Sequence, residues 1–353
     1  MNIVVTGGAG FIGSALVRLI LGTTDHRVLT LDRLSYASSR AALAEAEGYP
    51  GRHELVEVDI RRRGEVFALL ERFQPDLVFH LAAETHVDRS IDDPAPFVAH
   101  NVTGTMELLE ALRAYWRGLP DGRRDRFRVV HVSTDEVFGA LDAHQPPFST
   151  STAYAPRSPY AASKAASDHL ARAWHETYGL PVMVTNCSNN YGPFQFPEKL
   201  IPLVIIRALE GQTLPIYGTG ANVRDWIHVD DHARALLAAG MSGQPGQTYL
   251  VGADGERSNL QVVQAICRIL DELVPRSSGV SYGDLMTFVA DRPGHDFRYA
   301  IESTPTRHSL NWAPRVDFEQ GLRQTVRWYL DHADWWRPIL ANAYDGRRLG
   351  RGA

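Results

Sequence analysis

A hydroxyl and two carboxylates follow a strongly apolar stretch near the middle of the chain. Thr134, Asp135 and Glu136 come directly after residues 127–132, whose β-branched and apolar side chains predict a buried strand. Open α/β sheets bind ligands at the carboxyl ends of their strands, so these side chains are well placed for chemistry. Two neighbouring carboxyls in different surroundings can serve as one acid and one base. A purely capping role stays open, because Thr and Asp also favour helix N-caps.

A tyrosine and a lysine form a second candidate pair. Tyr160 and Lys164 lie four residues apart in segment 160–178, which predicts a long helix, so they share one face. An ammonium beside a phenol is expected to lower the pKa of Tyr160 and make it a usable base near neutral pH. Lys164 and Lys199 are the only lysines among 36 basic residues, and a compact cation at these two places differs chemically from arginine. The alternative is a surface lysine beside a buried tyrosine.

A glycine-rich turn opens the chain. Gly7, Gly10 and Gly13 lie between a predicted strand and a predicted helix, where they permit a tight turn against a pyrophosphate held at the helix N-terminus. Asp32 ends the second predicted strand, where a carboxylate can hold the adenosine ribose hydroxyls. That carboxylate repels a 2′-phosphate, which favours NAD over NADP, although the adjacent Arg33 weakens this preference.

The alternation of strands and helices predicts the elements that must position these residues. Over residues 1–190 the pattern is typical of an α/β protein with a Rossmann-like, doubly wound parallel sheet. Residues 191–336 mix prolines, short strands and helices and predict a smaller mixed α/β lobe that binds substrate, with some chain crossover between lobes. Residues 337–353 are predicted to be a fraying tail. The predicted strands of the sheet are 3–5, 27–31, 55–58, 76–81, 127–132 and 182–185, and its longer helices are 64–73, 97–116 and 160–178.

Composition narrows the function classes. The chain has 353 residues and a net charge of −5, and no basic block precedes its last residues, so nucleic acid is not an expected partner. No apolar run approaches about 20 residues and no charged-then-apolar leader opens the chain, so neither a membrane span nor a signal peptide is expected. Two cysteines, Cys187 and Cys267, argue against a disulfide framework or a zinc site and predict a cytoplasmic protein without a metal.

The glycine turn and the Tyr160-x-x-x-Lys164 pair together resemble the extended short-chain dehydrogenase/reductase family. Longer motifs are similar to the nucleotide-sugar 4,6-dehydratases of that family, and the resemblance extends over about residues 1–335. These motifs occupy residues 133–139, 158–169, 185–193, 196–202 and 224–226. The 4-epimerases of the family lack the Asp-Glu pair after the threonine. The chain departs from the pattern at Ser38 and Ser39, where Gly-Asn is usual, and at Phe138, where Tyr is usual.

The resemblance implies an NAD-dependent hydro-lyase that acts on dTDP-glucose. It assigns to Tyr160 the proton of the sugar C4 hydroxyl and to Thr134 a hydrogen bond to that oxygen. It assigns to Glu136 the C5 proton and to Asp135 the protonation of the leaving C6 hydroxyl. Lys164 would also hold the nicotinamide ribose. NAD would be recycled in each turnover, and loss of groups from adjacent carbons suits an acid and a base on adjacent residues.

The resemblance also implies contacts along the rest of the site. Cofactor contacts are implied for Gly7, Gly10, Phe11, Ile12, Gly13, Asp32, Arg33, Ser35, Asp59, Ile60, Leu81, Ala82, Ala83, Thr85, Tyr160, Lys164 and Asn190. Nucleotide-sugar contacts are implied for Thr85, Thr134, Asn189, Lys199, Leu200, Pro215, Tyr217, Arg224, Asn259, Arg292 and His295. Other readings stay open: an ion pair of Arg224 with Asp225, plain packing for Pro215 and Tyr217, and a buried polar role for Asn190.

Two further expectations concern assembly and substrate. The helices predicted at 97–116 and 160–178 carry more apolar positions than one sheet face needs, which predicts a homodimer through a four-helix bundle, as the resemblance also implies. The alternatives for function are a 4,6-dehydratase of a UDP- or GDP-hexose, a 4-epimerase or decarboxylase of similar fold, and a non-catalytic NAD-binding regulator.

Overall fold

The computed structural model describes residues 1–291 and 294–342, and its strands confirm the predicted fold class. The strands are β1 (Asn2–Thr6), β2 (Arg27–Asp32), β3 (His53–Glu57), β4 (Leu77–His80), β5 (Arg128–Thr134), β6 (Val182–Cys187), β7 (Asn189–Tyr191), β8 (Leu214–Tyr217), β9 (Val223–Arg224), β10 (Trp226–His228), β11 (Thr248–Val251), β12 (Arg257–Ser258) and β13 (Met286–Val289). Seven of them form one parallel sheet in the order β11-β6-β5-β4-β1-β2-β3.

Helices cover both faces of this sheet. The helices are α1 (Phe11–Thr23), α2 (Arg63–Phe73), α3 (Val87–Asp92), α4 (Ala95–Phe97), α5 (Thr105–Gly118), α6 (Asp121–Arg124), α7 (Pro159–Tyr178), α8 (Leu200–Leu209), α9 (Val229–Ser242), α10 (Asn259–Leu273), α11 (Thr304–Leu310), α12 (Phe318–Asp331) and α13 (Ala333–Asn342). One core packs α1 and α9 against the sheet, and another packs α2, α5 and α7 against the opposite face. Strands buried on both faces read as continuous apolar runs, which is why the sequence revealed them.

The strand order reverses between β1 and β4. From β1 the chain builds outward through β2 and β3, whereas β4, β5 and β6 follow on the other side. The connections diverge at that point and leave a crevice at the carboxyl ends of the strands, where doubly wound sheets bind ligands. The glycine turn after β1 and the carboxylates after β5 therefore open onto the same edge.

The seventh strand was not predicted. β11 pairs in parallel with β6, although almost 60 residues of mixed structure separate the two in the chain. α9 precedes β11 and packs against α1, which covers one face of the sheet. Both α9 and β11 follow Asn190 in the chain, yet they pack with the sheet. The predicted domain boundaries stay predictions, and residues 343–353 of the predicted tail lie outside the described part of the chain.

A second apolar core lies in the smaller lobe. It packs α8, α10 and α12 around fully buried side chains that include Ile205, Ile266 and Tyr329. A capping box of Ser258 and Gln261 begins α10. The two-stranded pairs β8–β13, β9–β12 and β7–β10 connect this core to the sheet edge. None of the helices in the described residues is long and apolar enough to cross a bilayer.

The helix predicted at 97–116 is interrupted. A π-helical turn, Val98–Gly104, separates α4 from α5. Its wider turn carries the buried Asn101, whose side chain accepts from the Glu84 backbone N–H at 2.8 Å and donates to the Ser163 hydroxyl at 2.8 Å. Such turns are frequent at functional sites. Asn101 thereby holds the loop after β4 in place beside α7.

Candidate active site

One cavity at the carboxyl edge of the sheet brings the predicted catalytic and cofactor residues together. Its walls come from the turns after β1, β2, β4 and β5, from α7 and from the segment before α8. The predicted residues that line it are Gly7, Gly10, Phe11, Ile12, Gly13, Asp32, Arg33, Ser35, Asp59, Ile60, Leu81, Ala82, Ala83, Thr85, Thr134, Asp135, Glu136, Tyr160, Lys164, Asn189, Asn190 and Lys199. Every predicted cofactor residue is in this set.

The glycine turn has the shape that a pyrophosphate requires. Gly7 has φ +70°, and a Cβ there would lie 2.7 Å from the Ala82 backbone nitrogen. A Cβ on Gly13 would collide with the Gly7 carbonyl oxygen. α1 begins at Phe11 after Gly10, and no side chain caps its first N–H groups. The turn therefore leaves room for backbone approach and a helix N-terminus that attracts an anion, so this site fits a dinucleotide.

The carboxylate of Asp32 lies at the end of β2. It accepts hydrogen bonds from the Ala9 backbone N–H at 3.0 Å and from the Ser38 hydroxyl at 2.8 Å. The adjacent Arg33 forms an ion pair with Glu84. The carboxylate of Glu84 offsets the charge of Arg33. Arg33 therefore weakens the preference for NAD less than its charge alone would suggest.

Thr134 combines a capping role with a place in the cavity. It ends β5, and its hydroxyl accepts from the Glu136 backbone N–H at 3.3 Å, which caps a 3₁₀ turn over Asp135–Phe138. Asn186 donates to the Thr134 carbonyl oxygen at 3.0 Å and fixes the strand end. The Thr134 hydroxyl is thus a cap, as the alternative interpretation predicted. The 3₁₀ turn that it caps carries Asp135 and Glu136, which both line the cavity.

The two carboxyls differ in their surroundings. Asp135 is 1 % exposed, and burial, followed by the charges of Glu136 and Asp225, raises its pKa well above the ordinary value. Its Oδ1 lies 3.2 Å from the Thr134 hydroxyl, while its Oδ2 is buried without a hydrogen-bond partner in the described residues. Glu136 is less buried and also lines the cavity. Asp135 therefore keeps its proton to higher pH than a solvated carboxyl does, and it lies beside the less buried Glu136.

The relation between Tyr160 and Lys164 is a correction to the prediction. α7 places both side chains in the cavity, but the Lys164 ammonium donates to the Val132 carbonyl oxygen at 2.9 Å. Burial raises the pKa of Tyr160 well above 10, the carboxylate of Glu136 raises it further, and a hydrogen bond from Thr134 opposes the shift. The predicted lowering of this pKa by Lys164 is wrong for these side chains as arranged here, because desolvation and nearby carboxylates outweigh the ammonium.

The remaining predicted substrate residues lie on the smaller lobe, outside the lining of the cavity. Those residues are Leu200, Pro215, Tyr217, Arg224, Asn259 and His295. Tyr217 on β8 and His295 are neighbours, with ring centroids 6.4 Å apart. The backbone N–H of Asn259, at the start of α10, donates to the Asn222 carbonyl oxygen at 2.9 Å. Arg292 lies outside the described residues, and sugar binding by this set stays a prediction.

Arg224 links the smaller lobe to the carboxyls. It is 6 % exposed, donates to the Asp296 carbonyl oxygen at 2.9 Å, and places its guanidinium 4.2 Å from the centroid of the Tyr299 ring. Its charge acts to lower the pKa of Asp135, against the larger effect of burial. Asp225 accepts from the Gly255 backbone N–H at 2.7 Å. Arg224 therefore brings a cation close to the acid.

Twelve residues of the cavity lining were not predicted as site residues, and Ser38, His100, Cys187 and Glu198 are among them. Ser38 is one of the departures from the family pattern, and Glu198 lies within the motif at residues 196–202. The Ser38 hydroxyl contacts the nearby Asp32, whereas Glu198 contacts Tyr36 and Arg89, which are far away in the chain. No pattern in the neighbouring sequence indicates that the carboxylate of Glu198 is buried, because its burial depends on the tertiary fold.

Comparisons with known proteins agree with this site. A family model described as GDP-mannose 4,6 dehydratase matches residues 4–325. The chain is 52 % identical to the dTDP-glucose 4,6-dehydratase of Neisseria meningitidis serogroup B over 353 residues, which covers 99 % of each chain. It is 51 % identical to dTDP-glucose 4,6-dehydratase 1 of Escherichia coli K12, with 98 % of this chain and 97 % of that protein covered.

Solved structures show the same fold. A dTDP-glucose 4,6-dehydratase from Streptomyces venezuelae with NAD bound superposes with a TM-score of 0.86 at 43 % identity and covers 96 % of this chain and 100 % of its own. A UDP-glucose 4-epimerase from Thermotoga maritima superposes with a TM-score of 0.81 at 28 % identity and covers 94 % of this chain and 100 % of its own. Because its similarity to the dehydratases is full-length and much the stronger, the chain belongs to the dTDP-glucose 4,6-dehydratase family of extended short-chain dehydrogenases and reductases.

Proposed function

We propose that this chain is an NAD-dependent hydro-lyase that converts dTDP-glucose to dTDP-4-keto-6-deoxyglucose. The observation that carries the proposal is the pair of carboxyls in the cavity, where burial raises the pKa of Asp135 beside the less buried Glu136. Tyr160 and the glycine turn open onto the same cavity. An acid, a base and a dinucleotide site in one cavity are what a reaction of oxidation, elimination and reduction requires.

Each side chain has one task in this reaction. Tyr160 takes the proton of the sugar C4 hydroxyl in its ionised form, so the phenol must first lose its own proton against its raised pKa. Thr134 donates a hydrogen bond that holds the same oxygen. NAD held by the glycine turn and Asp32 would supply the acceptor for the C4 hydride and the hydride donor for C6. The 4-ketone acidifies the C5 proton, which Glu136 removes. Asp135 gives its proton to the leaving C6 hydroxyl, so water departs. Glu136 returns its proton to C5 as the hydride reaches C6, and Asp135 regains a proton from solvent while Tyr160 releases the one it took.

The remaining charges suit a diphosphate. Lys199 lines the cavity and Arg224 lies beside the carboxyls, so the two cations flank the region where a nucleotide sugar would lie. Relatives that are 51 to 52 % identical carry the name of a dTDP-glucose enzyme, which supports thymine over other bases. A 4-epimerase of the same fold needs no acid and base at C5 and C6, so the carboxyl pair favours the dehydratase. Two free, buried cysteines support a cytoplasmic location.

Incubation with dTDP-, UDP- and GDP-glucose tests the proposal. The product of the dTDP-sugar should be a 4-keto-6-deoxyhexose, detected by mass as the loss of one water and by the absorbance of the ketone in alkali. A dTDP-galactose product would identify an epimerase instead. Turnover of the UDP- or GDP-sugar with little turnover of the dTDP-sugar would show that the base was assigned wrongly.

The purified protein should carry NAD. The cofactor is regenerated in each turnover, and the turn at Gly7–Gly13 together with Asp32 offers it a closed site. Denaturation followed by chromatography of the supernatant measures the bound nucleotide. NAD should exceed NADP by at least about tenfold, which corresponds to 1.4 kcal/mol of discrimination by the Asp32 carboxylate. A dominant NADP peak would overturn the argument from Asp32.

We expect the chain to form a homodimer. α5 and α7 are neighbours on one sheet face, and Val98, just before α5, is 53 % exposed. Light scattering at micromolar concentration should give twice the 39.2 kDa chain mass. Val98→Asp should shift the equilibrium towards the monomer, whereas Met241→Asp, equally exposed on α9, should not. A wild-type monomer would reject the four-helix bundle.

A further inference from the structure

Glu198 is a buried carboxylate that the proposed chemistry does not use. It lies in the segment before α8, lines the cofactor cavity, and its side chain is 2 % exposed. A buried carboxylate is costly unless other groups hydrogen-bond to it, so its partners show what it does in the fold.

Both partners come from distant parts of the chain. The Tyr36 hydroxyl donates to Glu198 Oε1 at 3.0 Å, across 162 residues, and the Arg89 Nε donates to Glu198 Oε2 at 2.8 Å, across 109 residues. Tyr36 belongs to the loop after β2, and Arg89 belongs to α3 after β4. The Arg89 guanidinium also lies 4.1 Å from the centroid of the Tyr36 ring, so the three side chains contact one another directly.

These contacts connect opposite walls of the cavity. The loop after β2 contributes Ser35 and Ser38 to the lining beside Asp32, and the segment before α8 contributes Phe196 and Glu198. The ring of Phe196 packs edge-to-face on Tyr36 at 5.3 Å. The loop after β2 therefore contacts the segment before α8 in two ways: Tyr36 packs against Phe196, and its hydroxyl donates a hydrogen bond to the buried carboxylate of Glu198.

The far end of the same loop is held as well. Ser39 accepts a hydrogen bond from the Trp335 indole N–H at 3.0 Å, although Trp335 lies on α13. The Trp335 ring packs against Phe194 at 5.6 Å, and Phe194 precedes the segment that carries Glu198. The loop over the adenosine side therefore has two attachments to the second half of the chain.

We propose that Tyr36, Arg89 and Glu198, the Glu198 clasp, close the cavity over bound NAD and set the rate at which the cofactor leaves. The clasp rests on the NAD site of the proposed function. Its residues are positioning residues, because they hold two cavity walls together and take no part in the proton transfers. Retention suits an enzyme whose cofactor is regenerated within each turnover and need not exchange.

Glu198→Gln tests the clasp. Glutamine keeps the volume but replaces one carboxylate oxygen with an NH₂ group, so either Tyr36 or Arg89 then faces a donor in place of its acceptor. NAD should dissociate about tenfold to a hundredfold faster, as expected for losing a hydrogen bond to a charged group. Mixing NAD-loaded protein with excess 1,N⁶-etheno-NAD and following the fluorescence of the exchanged nucleotide measures this rate. In excess NAD the turnover number should recover to within about threefold, whereas misfolding would not be rescued.

Two further variants make the result decisive. Tyr36→Phe keeps the ring and its packing but removes one donor, and it should accelerate release about threefold to tenfold. It carries the test alone if Glu198→Gln does not fold. Glu54 lies on β3 and forms an exposed ion pair with Arg72 of α2 at 2.7 Å. Glu54→Gln removes this ion pair and should leave the rate of NAD release unchanged. Release from both clasp variants within twofold of the wild-type rate would overturn the proposal. The dehydration of dTDP-glucose by the wild type is measured in a separate assay. If that activity were absent, the rates of NAD release in the variants would still test the clasp.

Discussion

Asp135→Asn should leave oxidation at the sugar C4 intact and slow the loss of water about 10²- to 10⁴-fold, the usual range for a positioned acid. Asparagine keeps the shape of the side chain but cannot give a proton to the departing C6 hydroxyl. The wild-type Asp135 can, because burial raises its pKa and lets it hold its proton to higher pH than a solvated carboxyl does. Stopped-flow absorbance should show the band of reduced nicotinamide building up after mixing with dTDP-glucose, while the 4-keto-6-deoxy product forms slowly.

The pH dependence of elimination follows from the same shift. A carboxyl whose pKa is raised in the folded protein keeps its proton to higher pH than a solvated one, so the acid should remain active through neutrality and lose activity only as the pH rises above that raised value. The same raised pKa means that ionised Asp135 destabilises the fold at high pH, where the unfolded chain is ionised at lower cost. An alkaline limb of the pH profile that disappears in Asp135→Asn would be assigned to this residue.

Glu136→Gln separates the base from the acid. This variant should also stall after oxidation, but it should in addition lose the exchange of the C5 hydrogen with solvent deuterium, which Asp135→Asn retains. Glu71→Gln, an exposed position on α2, serves as the control and should match the wild type in both measurements. If both cavity variants eliminate water at normal rates, the stretch after β5 acts only as a cap and the dehydratase assignment is wrong.

Lys164→Arg should nearly abolish turnover although the charge is kept. Lys164 is 5 % exposed and donates to the Val132 carbonyl oxygen at 2.9 Å, in a space shaped for a compact ammonium. The planar guanidinium is larger and presents its donors in a rigid fork, so it displaces either the carbonyl contact or Tyr160. We expect kcat to fall by at least about 10²-fold, the lower range for removing a positioned group of the proton-transfer set.

Two comparisons interpret the lysine result. Arg72→Lys exchanges the same residue types at an exposed position on α2 and should leave kcat unchanged. Lys164→Met removes the charge while keeping most of the stem, so equal losses in Lys164→Met and Lys164→Arg would show that geometry matters as much as charge. Turnover of Lys164→Arg close to the wild-type rate would mean that the lysine is not part of the proton-transfer set.

Local patterns in the sequence revealed the scaffold and the identity of the reacting groups. The turn at Gly7–Gly13 is recognisable because only glycine tolerates the close approach of Gly7 to Ala82. The i, i+4 spacing of Tyr160 and Lys164 places both on one helix face whatever surrounds them. Strands that are buried on both faces form apolar runs in the sequence, and six of the seven strands of the sheet could be predicted.

The missed elements depend on contacts between distant segments. β11 is a short apolar run in a region of mixed structure, and only its pairing with β6 makes it part of the sheet. The π-helical turn at Val98–Gly104 follows from the buried hydrogen bonds of Asn101 to the loop after β4. Periodicity along the chain reports the face on which a side chain lies, but not which segment it meets there.

The sequence by itself determined the fold class, the dinucleotide turn and the set of acid, base and lysine that dehydration would use. Only the tertiary structure decided that the pKa of Asp135 is raised, since that shift comes first from its burial. It also decided that the Lys164 ammonium meets the Val132 carbonyl oxygen, and that Glu198 joins the loop after β2 to the segment before α8. Desolvation and long-range hydrogen bonds depend on which atoms the fold brings together, and residue types at fixed spacing do not contain that information.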